Sequence, residues 1–272
     1  MEPGLLVALL VTLGAGLSTG VGAGLALYAK ATNDRFLASA LGFSAGVMLY
    51  VSFVEILPKA MGFLGGSDSP TGIIEGSAAF LGGLLLMALL YRFLPDLPMP
   101  RAEERKLPSD QPELDLHEPR ARLLKAGMLI ALAITIHNFP EGIATFFLTL
   151  DDPAVGMSVG TAIAIHNIPE GIAVAIPLYY ALHKRVWAFG LGIASGLAEP
   201  LGAIIGFWIL QPYISDSLLG ILFAAVAGIM VYISIDSLLP AAREFGSGQV
   251  AIYGVIAGMA VMALSLVLYR LT

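Results

Sequence analysis

Long runs of apolar residues alternate with short polar stretches along the whole 272-residue chain. About 20 consecutive apolar residues are needed for a helix to cross the hydrocarbon core of a bilayer. By this criterion the pattern predicts eight membrane-spanning helices. They cover roughly residues 4–28, 36–57, 73–94, 123–149, 155–180, 187–209, 216–239 and 250–270.

Most of the predicted connections are short, as at 151–153 and 247–249. The exception is 95–121, which is rich in proline and charge and is too short for a folded soluble domain. Such a composition is typical of a flexible linker. We therefore expect a single membrane domain in which this loop separates helices 1–3 (residues 1–94) from helices 4–8 (residues 122–272).

Composition supports an all-α membrane protein. The chain is 57% hydrophobic and only 12% charged, whereas a soluble domain has about 25% charged residues. The absence of cysteine excludes disulfides, thiolate zinc sites and cysteine nucleophiles. No basic residue precedes Lys30, so we expect the first span to be retained rather than cleaved as a signal peptide.

The basic residues predict the orientation, because cytoplasmic loops are enriched in Lys and Arg. With the N-terminus outside, only Lys59 and Arg270 face outward, and the other twelve Lys and Arg residues face the cytoplasm. We therefore predict a multi-pass protein of the cell inner membrane. Both termini would be periplasmic, and the 95–121 loop cytoplasmic.

A hexapeptide occurs twice, 29 residues apart, inside two consecutive spans. The copies are His137-Asn138-Phe139-Pro140-Glu141-Gly142 and His166-Asn167-Ile168-Pro169-Glu170-Gly171. Ionisable side chains are expensive in hydrocarbon and therefore mark functional sites. Imidazole, amide and carboxylate groups are also ligands for borderline divalent metals. The repeat predicts a metal site in the middle of the membrane.

The spacing within each copy places His and Glu four residues apart, on one face of a helix. Each proline removes a backbone donor and frees the carbonyl four residues earlier, which belongs to Ile136 or Ile165. We therefore expect two kinked, partly unwound helices, further loosened by the glycines. Two facing copies with bridging carboxylates could hold two ions.

Four further residues are candidate members of the site. Glu199 stands beside Pro200 in the middle of the sixth span and carries the strongest case. Glu55 and Asp236 each precede a proline near one end of a span, at opposite membrane faces, so they suit entry and exit gates or ordinary solvated helix ends. Met48 offers a thioether, although core packing also explains it.

These residues identify a resemblance to the ZIP (Zrt/Irt-like) family of divalent-metal transporters, most of all to its bacterial ZupT branch. The resemblance extends over essentially the whole chain. It includes both hexapeptides and the sequence segments 46–49, 195–200 and 227–231.

The resemblance implies a binuclear centre on the fourth and fifth helices. One ion would be held by His137, Glu141, His166 and Glu170. The other would be held by Asn138, Glu141, Asn167, Glu170 and Glu199. It also implies an inverted repeat of helices 1–3 and 6–8 around a central helix 4/5 pair, a scaffold bundle and a moving transport bundle, and uptake toward the cytosol.

The expected function is uptake of divalent cations, with Zn²⁺ foremost and Fe²⁺, Mn²⁺, Co²⁺ and Cd²⁺ also admitted by N/O ligation. We expect no enzymatic activity, no prosthetic group and no nucleic-acid partner; the partners are metal ions and the lipid bilayer, and a homodimer is left open. Two alternatives remain. An intramembrane metallohydrolase could use a two-metal site, although the His-Glu-x-x-His pattern is absent. A passive metal channel would need the same weak binding sites as a carrier.

Overall fold

The structure, a computed structural model, describes residues 3–28, 34–93 and 117–271, and every regular element within them is helical. The helices are α1 (Pro3–Tyr28), α2 (Asp34–Val51), α3 (Leu57–Phe63), α4 (Pro70–Phe93), α5 (His117–Asp151), α6 (Pro153–Leu182), α7 (Arg185–Gly196), α8 (Ala198–Leu210), α9 (Asp216–Ile233), α10 (Leu239–Phe245) and α11 (Gly248–Leu271). A 3₁₀ turn, Gln211–Tyr213, follows α8.

Within the described residues, eight segments are long and apolar enough to cross a membrane, which confirms the predicted number. Three boundaries differ by five or more residues from those read off the sequence. The second span continues to Phe63, beyond Pro58, and the seventh continues to Glu244, beyond Pro240, because each helix passes through its proline. The fourth span is part of α5, which begins at His117, within the segment that the sequence assigned to the loop. Residues 94–116 lie outside the described part of the chain.

The helices form two bundles. The centre bundle consists of α1, α5, α6, α7 and α8, which pack mainly against one another. The flanking bundle consists of α2, α3, α4, α9, α10 and α11. The bundles meet where α2 packs against α6 and where α9 packs against α5. The two helices with the repeated hexapeptide therefore lie at the junction between the bundles.

The packing follows the inverted repeat that the family resemblance implied. Contacts of α1 with α6 correspond to contacts of α8 with α5, and the pair α2 and α11 corresponds to the pair α9 and α4. Each helix pair among the first three spans and their neighbours thus has an equivalent pair among the last three spans and their neighbours. The α5/α6 pair lies at the centre of this arrangement, and its two spans are 67% and 72% buried.

A π-helical turn interrupts the second and the seventh spans at equivalent places, Ser52–Ile56 and Ser234–Leu238. The backbone N–H of Leu57 donates to the carbonyl of Ser52, and Leu239 donates to Ser234 in the same way. Each turn stands one or two residues before a proline, which has no N–H to keep the ordinary helical register. The turns carry Glu55 and Asp236.

Close helix contacts depend on glycine at specific crossings, as expected where lipid offers no hydrophobic driving force for association. A Cβ on Gly22 of α1 would overlap the carbonyl of Ile168 in α6. One on Gly83 of α4 would overlap the carbonyl of Ala225 in α9. These crossings hold the helices of each bundle at backbone contact.

Candidate metal centre

Seven predicted site residues converge on one buried cluster contributed by three helices. α5 provides His137, Asn138 and Glu141; α6 provides His166, Asn167 and Glu170; α8 provides Glu199. None of the seven is more than 1% exposed. We call this cluster the metal centre. Its members are those that the repeated hexapeptide and Glu-Pro motif predicted, although their role as ligands stays a prediction.

The two helices with the repeat pair their side chains crosswise. His137 Nε2 and Oε1 of Glu170 form a hydrogen bond of 3.0 Å, while His137 Nδ1 donates to the carbonyl of Ala133 at 3.2 Å. The equivalent pair lies 3.1 Å apart between His166 Nε2 and Oε1 of Glu141, but it is not aligned as a hydrogen bond. Each imidazole thus faces the carboxylate of the other helix. The four groups lie within reach of one another across the α5/α6 contact.

The two asparagines are anchored through their amide nitrogens. Asn138 Nδ2 donates to the carbonyl of Ser195 at the end of α7, at 3.1 Å. Asn167 Nδ2 donates to the carbonyl of Ala15 in α1, at 2.9 Å, and also to Oε1 of Glu199. Because these bonds fix the nitrogens, the amide oxygens are left as acceptors; both oxygens are buried without a partner.

A helix break positions Glu199. The sixth span divides at Leu197 into α7 and α8, and Glu199 lies in the first turn of α8. α8 approaches α5 so closely that a Cβ on Gly142 would overlap the backbone carbonyl of Glu199. The glycine directly after Glu141 therefore allows the third carboxylate to reach the α5/α6 pair.

The metal centre concentrates unsatisfied polar atoms. Eleven buried side-chain oxygen and nitrogen atoms of the described residues lack a hydrogen-bond partner, and eight of them belong to the seven residues of the metal centre. An unpartnered polar atom in a buried site costs about 1–3 kcal/mol, so this clustering must have a physical cause. A divalent cation accepts lone pairs from imidazole, amide and carboxylate groups together, and it would satisfy them at once.

The side chains are not already arranged around an ion. Within the described segments, no three His, Asp or Glu side chains are placed so that they could hold a metal as they stand. The physical reason is the crosswise pairing, in which each imidazole occupies a carboxylate of the other helix. A cation would have to replace these contacts.

The predicted unwinding at Pro140 and Pro169 is wrong. α5 and α6 run through these prolines as continuous helices, and the break lies in the sixth span instead. Gly142 and Gly171 do not loosen their helices; they are contact points. A Cβ on Gly171 would overlap the carbonyl of Thr19 in α1. Tight packing on both sides keeps each helix regular, as neighbours do for prolines in membrane helices.

The three weaker candidates lie in the flanking bundle. Met48 is fully buried in α2. Glu55 is 8% exposed and forms an ion pair with Lys59 one turn later. Asp236 is exposed and accepts a hydrogen bond from Tyr232. The structure thus places Glu55 and Asp236 on the two equivalent π-helical turns, apart from the convergent cluster on α5, α6 and α8.

Sequence reasoning missed the contribution of α1. Its Ala15 carbonyl holds Asn167, and its Thr19 is fully buried with an unpartnered hydroxyl. Ala15 also accepts from Ser18 Oγ at 2.6 Å, so the acceptor that a helical threonine ordinarily uses is already occupied for Thr19. The position of a backbone carbonyl cannot be read from a sequence. The glycines of α1 were the available signal, since they indicate that another helix packs closely against α1.

Comparison with known proteins agrees with this arrangement. Residues 99–266 match the family model described as ZIP Zinc transporter. A Zinc transporter ZupT from Oceanobacillus iheyensis is 53% identical over 97% of this chain and 98% of its own length. Proteins of the same name from Chlorobium luteolum and Xanthomonas axonopodis pv. citri are 51% and 46% identical, over 96% and 97% of this chain and 97% and 95% of their own lengths.

Proposed function

The chain belongs to the ZIP zinc transporter family, and on this premise we propose that it carries divalent metal cations, Zn²⁺ foremost, through the membrane into the cytosol. The single observation that carries the proposal is the metal centre. Two imidazoles, two amides and three carboxylates are buried together, and most of the unpartnered buried polar atoms are theirs. The similar proteins from Oceanobacillus iheyensis and Chlorobium luteolum are named zinc transporters.

The centre has enough ligands for two ions. The first would be bound by His137, Glu141, His166 and Glu170, since two imidazoles and two carboxylates complete a tetrahedral Zn²⁺ shell. The second would share both carboxylates and add the oxygens of Asn138, Asn167 and Glu199. Both amide oxygens and one Glu199 oxygen are unpartnered, which favours the oxygen-rich second site. Such a site suits Fe²⁺, Mn²⁺, Co²⁺ and Cd²⁺ as well as Zn²⁺.

Binding at the centre is coupled to loss of protons. Imidazole binds a metal through a deprotonated nitrogen, and a carboxylate must be ionised. One proton lies between His137 Nε2 and Glu170 in the 3.0 Å hydrogen bond, and Zn²⁺ would take its place. Release of the metal toward the cytosol would restore this hydrogen bond.

The two-bundle architecture supports a carrier. Among the described helices, all those that hold the centre, together with α1, form one bundle, so the bound ions can move with it against the flanking bundle. We propose the orientation given by the basic residues, with both termini periplasmic and the 95–121 loop cytoplasmic, in the cell inner membrane. The helices that face lipid are compatible with a homodimer.

An intramembrane metallohydrolase is the weaker alternative, because the similar proteins are named as zinc transporters. A passive channel is the stronger competitor, because it would need similar sites along a pore. The two differ in how flux depends on driving forces, and this difference can be measured.

Purified protein in sealed liposomes with an internal zinc dye provides the test. We expect saturable Zn²⁺ entry, competition by Fe²⁺ and Cd²⁺, and a rate that stays far below that of an open pore. Imposing a proton gradient of either sign then tests coupling to protons. The matched control is Glu141→Gln, which has the shape of the native residue without its charge. Flux equal in both proteins would contradict the proposal.

A further inference from the structure

A polar stripe runs along α2 and ends at Glu55. Ser44, Met48, Ser52 and Glu55 follow one another at intervals of three or four residues, and all four are buried. Residues at such intervals share one face of a helix. The neighbours Phe53 and Val54 are exposed, so the stripe occupies the inward side of the helix up to its last turn.

The stripe lies on the side of α2 away from α11. Gly42 and Gly46 mark the α11 side, because a Cβ on either would overlap a carbonyl of that helix. Ser44, two residues from each, points to the opposite side. The contact of α2 with the centre bundle is made with α6, the helix of His166 and Glu170. We therefore place the stripe between Glu55 and the junction of the two bundles.

An unpartnered hydroxyl within the stripe points to a ligand. Ser52 Oγ donates back to the carbonyl of Met48 at 2.7 Å, as buried serines in helices commonly do. Ser44 Oγ is fully buried and has no partner. Outside the centre bundle it is the sole such atom among the described residues. A hydrated cation on the stripe would supply the missing hydrogen-bond partner.

Lys59 covers the end of the stripe. Its ammonium group pairs with Oε1 of Glu55, with the lysine side chain 30% and the glutamate side chain 10% exposed. The π-helical turn at Ser52–Ile56 places the carboxylate on the buried side, and the long lysine side chain reaches it from the next turn. The pair is therefore partly in water at the lysine and almost dry at the glutamate.

We propose that Lys59 is a built-in counter-ion that competes with the transported divalent cation for the Glu55 carboxylate at the end of the stripe. A buried carboxylate needs a compensating positive charge, and the lysine supplies one between transport events. A divalent ion attracts the carboxylate more strongly than an ammonium group does, and the flexible lysine can turn into water without backbone movement. The pair thus sets the apparent affinity for the cation at this end of the stripe; this inference rests on the proposed function.

The reactivity of the lysine amine provides a direct test that does not require transport. Full-length protein in detergent is treated with an acetylating reagent with and without Zn²⁺, and modification of Lys59 is followed by mass spectrometry with Lys184 as internal reference. We expect Zn²⁺ to increase the rate at Lys59 about two- to fivefold, the range for displacing a partly exposed ion pair. Glu55→Gln should give the higher rate without metal and no further response.

Transport provides the second readout. Lys59→Met should lower the KM for Zn²⁺ about two- to fivefold with an unchanged maximal rate, whereas Lys59→Arg, which keeps the pair, should resemble the native protein. In the Glu55→Gln background the effect of Lys59→Met should vanish, since the lysine acts through that carboxylate.

Two outcomes would overturn the inference. One is a Zn²⁺-dependent rise in Lys59 reactivity that persists in Glu55→Gln, because it would report a general conformational change. The other is native Lys59 reactivity that does not respond to Zn²⁺ under conditions where the metal binds. Liposomes with native protein but without Zn²⁺ flux would contradict the proposed function instead, and the reactivity experiment would still decide the role of Lys59.

Discussion

The two bundles differ in how completely their buried polar groups are satisfied: among the described residues, ten of the eleven unpartnered buried side-chain atoms lie in the centre bundle and one lies in the flanking bundle. In the flanking bundle, Ser52 and Ser234 bond to carbonyls of their own helices, and Tyr91 bonds to Ser237 across helices at 2.8 Å. In the centre bundle, most polar atoms of the metal centre are without partners. Buried polar groups are satisfied in most proteins. The centre bundle therefore needs a ligand from outside the protein to satisfy its polar atoms.

The same comparison separates two uses of a carboxylate. Glu55 is held by a lysine of its own helix at the edge of the flanking bundle. Glu141, Glu170 and Glu199 lie together with two imidazoles and, among the described residues, no lysine or arginine pairs with them. Three carboxylates without a resident cation repel one another strongly in a low dielectric. A divalent ion removes this repulsion, whereas Glu55 is already compensated.

The largest expected effect is at the bridging carboxylates. Glu141→Ala or Glu170→Ala should reduce Zn²⁺ uptake by about 100-fold or more, since loss even of groups that only support metal ligands costs about 10–100-fold. Initial rates of zinc-dye fluorescence in liposomes measure this, with equal amounts of folded protein verified by size-exclusion chromatography. Glu75→Ala, at an exposed position of α4, is the matched control. Near-native uptake by Glu141→Ala would remove the distinction between the bundles.

A backbone contact gives the next largest effect. Gly142→Ala adds one methyl group against the carbonyl of Glu199, and overpacking of this kind costs about 1–3 kcal/mol. It should lower both the thermal stability and the rate of uptake, because it pushes α8 with Glu199 away from α5. Gly82→Ala is the control, since a Cβ there meets no atom within 4 Å. Equal melting temperatures for the two variants would show that the α5/α8 contact is looser than described.

Glu199 tests the division of the centre into two sites. Glu199→Ala leaves His137, Glu141, His166 and Glu170 in place, so we expect one bound ion where the native protein binds two. Preference should shift toward Zn²⁺, because the oxygen-rich site suits harder ions better. Elemental analysis of purified protein gives the stoichiometry, and competition between Zn²⁺ and Mn²⁺ gives the preference. A variant that binds no metal would mean that the two sites form one inseparable unit.

Much of the fold and of the buried polar cluster could be predicted from the sequence. The eight spans follow from long apolar runs. The seven residues of the metal centre were identifiable because ionisable side chains are costly in hydrocarbon and are rare there without a functional role. The helix register of His137 and Glu141 placed both on one face, and the second copy supplied the opposing face. The convergence of these residues on one cluster could therefore be predicted from the sequence alone, while their role as metal ligands stays a prediction.

The other features of the fold and of the site depend on tertiary packing, which the sequence does not show. Whether Pro140 unwinds its helix is decided by the neighbours that enclose it, and these belong to distant parts of the chain. The π-helical turns of Glu55 and Asp236 have only a following proline as signal. The anchoring of Asn167 by Ala15 joins residues 152 positions apart through a backbone carbonyl, which is present in every residue and therefore carries no sequence information.

The smallest expected effect lies in the flanking bundle, where Ser52, Ser234 and Tyr91 all have hydrogen-bond partners. Tyr91→Phe removes the 2.8 Å hydrogen bond to Ser237 but keeps the ring that packs edge-on against Tyr232 with centroids 5.3 Å apart. A single such bond contributes about 0.5–1.5 kcal/mol, so the melting temperature should fall slightly while Zn²⁺ uptake stays near native. Thermal unfolding in detergent and liposome flux measure the two effects. Loss of uptake with unchanged stability would show that this hydroxyl belongs to the metal path, and the contrast between a satisfied and an unsatisfied bundle would then no longer separate packing from transport.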